Sequence, residues 1–511
     1  MASMPTPEQY LSSLVRSDNA LLLVAVLIAG ALLLLRLFPV AAGLKITMPS
    51  MRIPMFRVSD QIAAGAVAIV SVVARLPLLD QSLWYDEAYS LVTSSLPAMD
   101  FIQAVARDVH PPSYYLLMRS WQSLLGGGNL AVELLRLPSV GFGLVCVWLM
   151  YEAARSLNLS KATGLVAAGL MAIAPNAIYY SSELRIYSAF IAAVLLAIIL
   201  YQRQSRWFPV LIAVLPWLHQ MGLLYASVMG LYALWRPPHR ARKNILAGLC
   251  VGLMIVPLTL LQSGVISDGY WLQESPGQIV YVYLSVLFRF LPDGAGWLLI
   301  PSIAFVLLVI MNSAWLWRTI VAPILFVVPL CAALITIIGL PVLLPRALLP
   351  SAILLILPIA KLIASSRNNL LWATATLALI VPGMAYAVST DLRPDYRTAW
   401  VDGCQGMDSA YATSINMAFI ARQFTDNVEV WNEAVDDGGT FHVRDLPVWG
   451  FTVVDTPTLP TCLLYANNPR AEIAERQYVQ LLVNMQNDSM GALIITNDSY
   501  HIHAWRLVDA R

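Results

Sequence analysis

Long apolar runs constrain the fold of this chain more than any other feature. About twelve runs have the length to cross a hydrocarbon layer of roughly 30 Å as helices, or nearly so; they are residues 20–43, 62–79, 136–151, 163–180, 187–201, 207–218, 223–234, 245–261, 297–311, 320–340, 348–363 and 370–387. Only 12% of the residues are charged, against about 25% in soluble domains. The sequence therefore predicts an all-α polytopic membrane protein with about twelve transmembrane helices. Two of the runs are short, which favours broken or re-entrant helices around a cavity.

Basic residues in alternate loops predict the orientation of the chain. The loop after the first run carries Lys45, Arg52 and Arg57, and the later loops on the same side are also basic, with Arg155, Lys161, Arg203, Arg206, Arg236, Arg240, Arg242 and Lys243. Basic loops remain in the cytoplasm, so both ends of the chain are expected outside it. Charges interrupt every apolar stretch between residues 91 and 133, which predicts a large external loop with amphipathic helices on the membrane.

The composition changes from residue 391 onward to that of a soluble domain. Short β-like runs at 428–431, 451–454, 462–465 and 492–496 alternate with helical patterns near 408–424 and 470–485. These patterns predict a small extracytoplasmic α/β domain of about 120 residues. If this region faces an oxidising compartment, Cys404 and Cys462 are expected to form a disulfide. This C-terminal region contains neither of the glycine-rich nucleotide-binding motifs, GxGxxG and GxxxxGK[ST].

The chain is thus expected to have three parts. Residues 1–58 form an extra N-terminal helix with a basic cytoplasmic loop, 59–388 form the transmembrane core with its large first external loop at 80–135, and 389–511 form the extracytoplasmic domain. The extra helix either docks a partner or only sets the topology.

Asp86 and Glu87 lie side by side among aromatic residues, just beyond the run at 62–79. Acidic side chains at a bilayer edge are costly, so they suggest a functional site. The alternative is an ordinary interfacial loop in which Trp84 and Tyr85 are members of an aromatic belt.

Two further groups of charged residues are predicted on the external side. Asp108 and His110 precede two prolines and Tyr114, and His110 suits either a metal site with a carboxylate or acid–base chemistry near neutral pH. The alternative is a histidine at a helix start in the interface. His219, at another predicted external turn, is expected to be structural.

The second group consists of Glu183, Arg185 and Tyr187 at a turn between two runs, together with Arg346 at the start of a later run. Glu183 and Arg185 form either a weak surface ion pair or part of a phosphate site, since arginine binds phosphate in a bidentate manner. Arg346 is either a second phosphate ligand or an arginine that extends toward the membrane surface.

Together these residues indicate chemistry on an anionic, membrane-embedded substrate. A carboxylate can remove a proton from an acceptor hydroxyl while arginine stabilises a departing phosphate. Polyprenyl-phosphate sugars have both the lipid tail and the phosphate that such a site needs. A net charge of +1 provides no field to attract nucleic acid.

Four segments in order resemble the GT-C membrane glycosyltransferases, in particular the protein O-mannosyltransferase and aminoarabinose-transferase type, which is glycosyltransferase family 39-like. They are Trp84-Tyr85-Asp86-Glu87-Ala88, Asp108-Val109-His110-Pro111-Pro112 with Tyr114-Tyr115, Leu135-Arg136-Leu137-Pro138-Ser139, and Tyr179-Tyr180-Ser181-Ser182-Glu183-Leu184-Arg185-Ile186-Tyr187. The resemblance covers roughly the N-terminal half of the chain.

The resemblance implies an inverting transfer of a monosaccharide from a polyprenyl-phosphate donor to a hydroxyl of a protein, lipid or glycan. It implies that Asp86 is the catalytic base, that Glu87 orients its neighbours, and that Arg185 and Arg346 hold the donor phosphate. Many relatives have an aromatic residue after the second arginine, where this chain has Ala347.

The remaining members of the expected site lie on the substrate or acceptor side. They are Asp108, His110, Tyr114, Glu183 and Tyr187, and the first two also suit a divalent metal, whose involvement the resemblance leaves open. The protein is expected in a plasma membrane, specifically the bacterial inner membrane, with the site and the C-terminal domain on the extracytoplasmic face.

Two other classes of protein compete with an enzyme. A transporter or flippase for lipid-linked sugars also has intramembrane charges and broken helices, although such proteins often show internal repeats and bind near the midplane. A non-catalytic scaffold that binds a partner through its C-terminal domain is the third possibility, and the intact Asp86 argues against it.

Overall fold

The computed structural model describes residues 60–127, 130–236, 242–267, 278–287, 298–337, 342–389, 396–404, 407–435, 447–449, 451–454, 461–466, 491–497 and 502–508. The run at 20–43 and the helix expected at 470–485 lie outside the described residues.

Helices form nearly all of the described chain up to residue 404. They are α1 (Asp60–Val73), α2 (Tyr85–Ser95), α3 (Ala98–Ala106), α4 (Ser113–Leu124), α5 (Val132–Ser156), α6 (Lys161–Ile173), α7 (Pro175–Ser181), α8 (Tyr187–Gln202), α9 (Phe208–Leu218), α10 (Gly222–Trp235), α11 (Arg242–Gly252), α12 (Val256–Ser267), α13 (Gln278–Leu284), α14 (Leu299–Met311), α15 (Val328–Ile337), α16 (Leu349–Ile353), α17 (Ile356–Ser365), α18 (Asn369–Ser389) and α19 (Tyr396–Cys404). Short 3₁₀ segments occur at Leu76–Leu78, Leu253–Ile255, Ala314–Arg318 and Pro345–Leu348, and a π-helical segment at Pro323–Val327.

Several of these helices have the length and composition of membrane spans. Within the described ranges five stretches qualify, namely Asp60–Leu78, Val132–Ser156, Lys243–Leu260, Pro345–Ser365 and Asn369–Val388, and a bent pair makes a sixth. Five shorter apolar helices accompany them, at Tyr187–Gln202, Phe208–Leu218, Gly222–Trp235, Leu299–Met311 and Pro323–Ile337. The chain is therefore a multi-pass membrane protein, and the number of about twelve spans stays a prediction.

The run at 163–180, which the sequence predicts as continuous, is broken in the structure. Helices α6 and α7 meet at an angle of 59°, and Ala174 between them has an extended backbone with ψ at 123°. Pro175 causes the break, because proline has no N–H to donate and disfavours helical geometry in the residue before it. Helix α7 begins after this break and ends at Ser181, directly before the segment that carries Arg185.

The predicted external loop contains short helices rather than spans, as its interrupted pattern indicates. In α3, Phe101, Ala104 and Val105 are buried, whereas Met99 and Ile102 on the other face are 66% and 60% exposed. This amphipathic pattern suits a helix that lies at a membrane surface.

Residues beyond 407 form a six-stranded mixed sheet. Its strands are β1 (Ser409–Ser414), β2 (Asn427–Val435), β3 (Thr452–Val454), β4 (Thr461–Ala466), β5 (Gly491–Asn497) and β6 (Ile502–Val508), in the spatial order β3-β2-β1-β4-β6-β5. Strands β1 to β4 pair in parallel, and β6 pairs antiparallel with β4 and β5. One further helix, α20 (Ile415–Ala421), follows β1.

The structure corrects one element of this region and agrees with others. The helix expected at 408–424 is wrong in its first half, because residues 409–414 are the central strand β1, which pairs on both sides. The four expected strands coincide with β2 to β5. A disulfide joins Cys404 at the end of α19 to Cys462 in β4.

A buried aromatic cluster joins the sheet region to α2. The ring of Tyr89 in α2 lies 5.0 Å from that of Phe419 in α20 and 6.0 Å from that of Trp449. The indole N–H of Trp449 donates to the hydroxyl of Thr93 at 3.3 Å. Helix α2 is thus held between the helical core and the sheet region.

Candidate functional site

The first turn of α2 presents two carboxylates. Glu87 Oε2 accepts a hydrogen bond from the backbone N–H of Trp84, which precedes the helix, at 3.4 Å. A carboxylate in this position satisfies a free N–H and complements the positive end of the helix dipole. Asp86 is the second residue of the helix, so its side chain also lies at the helix N-terminus.

Two arginines from distant parts of the chain converge on Asp86. Arg346 Nη1 donates to Asp86 Oδ2 at 3.1 Å, and Arg185 Nη2 lies 3.8 Å from the same oxygen. Arg185 Nη1 also donates to the backbone oxygen of Asp86 at 3.1 Å and to Ser90 Oγ at 3.0 Å. The side chains of Asp86 and Arg346 are 15% and 20% exposed. The structure thus brings together the three residues expected to be the base and the phosphate ligands.

The Asp86 carboxylate uses only one of its oxygens for these contacts. Within the described residues, every hydrogen bond and ion pair of this side chain is made by Oδ2. The two arginines therefore contact Oδ2 and leave Oδ1 to other partners. Because the arginines hold the other oxygen, the direction of Oδ1 is also fixed.

Glu87 is fully buried and serves a different purpose from Asp86. Arg136 of α5 donates to it twice, from Nε to Oε1 at 2.9 Å and from Nη2 to Oε2 at 2.7 Å. Oε1 also accepts from the backbone N–H of Leu184 at 2.8 Å. Glu87 thus fixes the backbone of the residue next to Arg185.

Arg136 extends this link to the chain that enters α2. Its Nη1 donates to the backbone oxygens of Leu79 at 2.7 Å and Gln81 at 2.6 Å. Residue 136 lies in one of the four segments that carry the family resemblance, but the sequence does not indicate its partner. The pairing with Glu87 joins residues 49 positions apart.

His110 orients Arg185 from the other side. Arg185 Nη2 and His110 Nε2 are 3.0 Å apart, and a guanidinium has only donors, so Nε2 accepts and the imidazole proton resides on Nδ1. Nδ1 lies 3.6 Å from Asp108 Oδ1. Burial and the charge of Arg185 lower the pKa of His110, which keeps the ring neutral and able to accept.

Asp108 is in turn held by Tyr115, whose hydroxyl donates to Oδ2. Burial and the Asp108 charge raise the pKa of Tyr115 well above its usual value, so the tyrosine keeps its proton. Burial alone raises the pKa of Asp108, but His110, Tyr115 and Arg185 lower it overall.

The other expected site residues surround this centre. The Tyr114 hydroxyl lies 2.9 Å from Ser139 Oγ, and the charge of the fully buried Glu183 acts on that hydroxyl. Tyr187 is buried within electrostatic reach of Asp86, Arg185 and Arg346.

His219 lies closer to this centre than the sequence indicates. Its ring stacks on that of Phe190 at 5.1 Å and meets that of His110 edge-on at 5.8 Å. Nδ1 accepts from the backbone N–H of Met221 at 3.1 Å. Burial, His110 and Arg185 lower its pKa well below the usual value. These contacts fit the structural role expected for it.

In the part of the chain that the structure describes, no three His, Cys, Asp or Glu side chains lie together in a group that could hold a metal ion. Of the two residues expected to suit a metal, His110 lies beside both Asp108 and Arg185.

No known family model matches this sequence, and no curated protein matches it. Among solved structures, ArnT from Cupriavidus metallidurans, bound to undecaprenyl phosphate, is similar at 12% identity and a TM-score of 0.52, over 88% of this chain and 98% of ArnT. Weaker matches are the S. cerevisiae protein O-mannosyltransferase Pmt1-Pmt2 complex (18% identity, TM-score 0.31, 46% of this chain) and the Archaeoglobus fulgidus oligosaccharyltransferase (10% identity, TM-score 0.47, 87% of this chain and 74% of that chain). This chain covers only 37% of the matched yeast protein.

The likeness to ArnT extends over nearly the whole of both chains, and its TM-score of 0.52 indicates that the two proteins share a fold. The identity of 12% is too low to transfer an activity. The chain has the GT-C fold, in agreement with the family that its four sequence segments resemble.

Proposed function

We propose that this protein is an integral membrane glycosyltransferase that transfers a monosaccharide from a polyprenyl-phosphate donor to an acceptor hydroxyl, with inversion at the anomeric carbon. The observation that carries the proposal is the convergence of Arg185 and Arg346 on Oδ2 of Asp86. A base and two phosphate ligands within contact of one another are what such a transfer needs.

The donor phosphate would bind to the two guanidinium groups. Arginine recognises phosphate through parallel N–H donors, and Arg185 and Arg346 both present theirs beside Asp86. A bound phosphate competes with Oδ2 for these donors. Donor binding therefore loosens the arginines from Asp86 and leaves its carboxylate to interact with the acceptor.

The reaction is then a single displacement. Asp86 takes the proton of the acceptor hydroxyl, whose oxygen forms a bond to the anomeric carbon as the bond from that carbon to the phosphate oxygen breaks. The electron pair leaves with the polyprenyl phosphate, whose added charge Arg185 and Arg346 stabilise. Attack opposite the leaving group inverts the anomeric configuration.

The residues around the arginines act on their geometry. His110 accepts from Arg185 Nη2 and leaves that guanidinium with a defined orientation. Glu87 holds the backbone of Leu184, and we assign it an orienting role. Asp108, Tyr114, Glu183 and Tyr187 are proposed to line the substrate side.

Basic loops on one side support an extracytoplasmic site, and we place the protein in a bacterial inner membrane. ArnT was solved with undecaprenyl phosphate, and an Archaeoglobus fulgidus oligosaccharyltransferase with an inhibitory peptide and a dolichol-phosphate. We propose a lipid of the same polyprenyl-phosphate class as the carrier here. The acceptor is a protein, lipid or glycan hydroxyl.

The proposal is tested with the purified protein in lipid nanodiscs that contain a panel of undecaprenyl-phosphate sugars and candidate acceptors. Mass spectrometry should detect free undecaprenyl phosphate and a glycosylated acceptor of inverted configuration. A matched assay in sealed vesicles follows the movement of the same lipids between leaflets. Movement of intact donor with no cleavage in any mixture would show a flippase instead.

A further inference from the structure

Arg75 is a fully buried cation outside the centre described above. It follows α1, and its guanidinium donates from Nε to Ser181 Oγ at 2.7 Å, from Nη1 to the backbone oxygen of Ser71 at 2.7 Å and its Oγ at 2.9 Å, and again from Nη1 to the backbone oxygen of Ala172 at 3.4 Å. Nη2 donates to the backbone oxygen of Ala177 at 3.3 Å. All three nitrogens are thus occupied by neutral groups of the protein itself.

The partners of Arg75 show why a cation is placed here. Ser71 lies in the last turn of α1, Ala172 in the last turn of α6, and Ser181 is the last residue of α7. Carbonyl groups at helix C-termini lack intrahelical partners, and the helix dipole is negative there. One guanidinium therefore joins the C-terminal ends of three helices, which a lysine with a single nitrogen cannot do in the same way.

The packing around Ser181 is tight because a glycine faces it. A Cβ added at Gly143 in α5 would lie 2.3 Å from Ser181 Cβ and 3.2 Å from Arg75 Nε. The first distance is shorter than real contacts of a Cβ atom and the second is tighter than most of them, so any side chain at this position displaces Ser181 and presses on the guanidinium. Gly143 therefore permits the contact between Arg75 and α7.

The segment that Arg75 fixes leads directly to the site. Ser181 is followed by residues 182–186, in which Arg185 donates to the backbone of Asp86. This segment is held at its start by Arg75 and near its middle by the bond from Leu184 to Glu87. Both attachments hold the backbone that leads to Arg185.

We propose that Arg75 is a positioning residue for Arg185, and that it acts on donor phosphate binding through the bend between α6 and α7. This inference rests on the proposed function, in which Arg185 holds the donor phosphate. An intramembrane arginine that contacts no ligand is otherwise expected to affect only the stability of the fold. If Arg75 acts by positioning Arg185, replacing Arg75 weakens phosphate binding only while Arg185 is present. If Arg75 only stabilises the fold, the loss of binding is the same with and without Arg185.

The test is a double-mutant cycle with undecaprenyl phosphate as the probe, titrated against the full-length protein in nanodiscs. Arg75→Lys keeps the charge but loses the fork of donors, and binding should weaken about tenfold, within the range for coupled neighbours. In an Arg185→Ala background the same change should cause no further loss. In an Arg346→Ala background, where the arginine belongs to another segment, the two losses should multiply.

Gly143→Ala provides a second route, because it displaces Ser181 while leaving Arg75 and its charge intact. Its loss of undecaprenyl-phosphate affinity should also disappear in the Arg185→Ala background. If Arg75→Lys does not fold, Gly143→Ala alone tests whether Arg185 is positioned through Ser181. Wild-type affinity in both variants, or an equal loss with and without Arg185, overturns the inference. If Arg185→Ala itself binds as wild-type does, the proposed function fails instead.

Discussion

Arg346 donates a hydrogen bond to Asp86 at 3.1 Å although the two residues are 260 positions apart in the sequence. Arg185 approaches the same carboxylate oxygen from a third segment of the chain. The site is therefore assembled from the start of one helix, the end of a broken span and the entry to a later helix.

Arg346→Ala should reduce transfer by about 100-fold or more, as expected when one donor to a developing negative charge is removed. The reason is that Arg346 is one of the two cations at Asp86. Initial rates with saturating acceptor measure the effect. Arg318→Ala is the matched control, because Arg318 also precedes an apolar helix but is exposed. Equal rates for the two variants would contradict the assignment.

Arg136→Met should destabilise the protein by about 3–5 kcal/mol, since it leaves the buried carboxylate of Glu87 without its ion-pair partner. Replacing both residues, as Glu87→Met with Arg136→Met, should recover much of that stability, because no charge then remains buried. Transfer should stay low in the double variant, since Leu184 has lost its acceptor. The free energy of unfolding in mild detergent and the transfer rate are measured for Arg136→Met and for the double variant. If the double variant recovers both stability and transfer, Glu87 has no orienting role.

The neutral state of His110 gives a pH dependence with a definite sign. Burial and Arg185 lower the pKa of His110 from its usual 6.5, so the unfolded chain binds this proton first as the pH falls. Stability should therefore decrease between pH 6.5 and the lower pKa of the folded state, by at most about 1.4 kcal/mol per pH unit.

His110→Gln removes the titration while keeping a neutral acceptor for Arg185. Its unfolding free energy should fall less than that of the wild type between pH 7.5 and 5.5. Thermal unfolding at matched ionic strength provides the comparison. Identical slopes for the two proteins would mean that His110 does not titrate with a lowered pKa.

Phe419→Ala should lower the transfer rate through the position of α2. Phe419 is fully buried and packs on Tyr89 and Tyr85 of that helix, and truncation of a buried phenylalanine costs about 3–5 kcal/mol. Affinity for undecaprenyl phosphate should fall less than the rate, because Arg185 and Arg346 lie on other elements and are bonded to α2 rather than part of it. Trp400→Leu is the control, because Trp400 is buried in the same cluster but stacks on Phe424 of the sheet region. A folded Phe419→Ala protein with a wild-type rate would contradict this role of the sheet region.

The sequence predicts the membrane helices and the short helices of the loop at 80–135, because these depend on local composition. It also singles out Asp86 as a charge at a helix end, and the role of Asp86 as a base stays a prediction. It does not predict partners, since the contact of Arg136 with Glu87 depends on tertiary packing. The helical pattern predicted near 408–424 includes residues 409–414, and pairing with β2 and β4 fixes those residues as the extended strand β1.

The sequence itself marks Arg75 as an unusual residue. It lies inside the apolar run 62–79, where a charged residue is itself unusual. The run alone predicts a span, and the break at Pro175 is needed before the three helix ends that surround Arg75 come together. The sequence can therefore single out this arginine but cannot identify its partners.

Asp86→Asn tests the central claim most directly, because it keeps the size of the side chain and an acceptor oxygen for the arginines while it removes the base. Wild-type and variant proteins are compared in nanodiscs for binding of undecaprenyl phosphate and for transfer from its sugar conjugates. We expect binding to remain within a few-fold of wild type and transfer to fall by a factor of about 100 to 10,000, the contribution of a general base. Transfer by the folded variant at the wild-type rate would contradict the account.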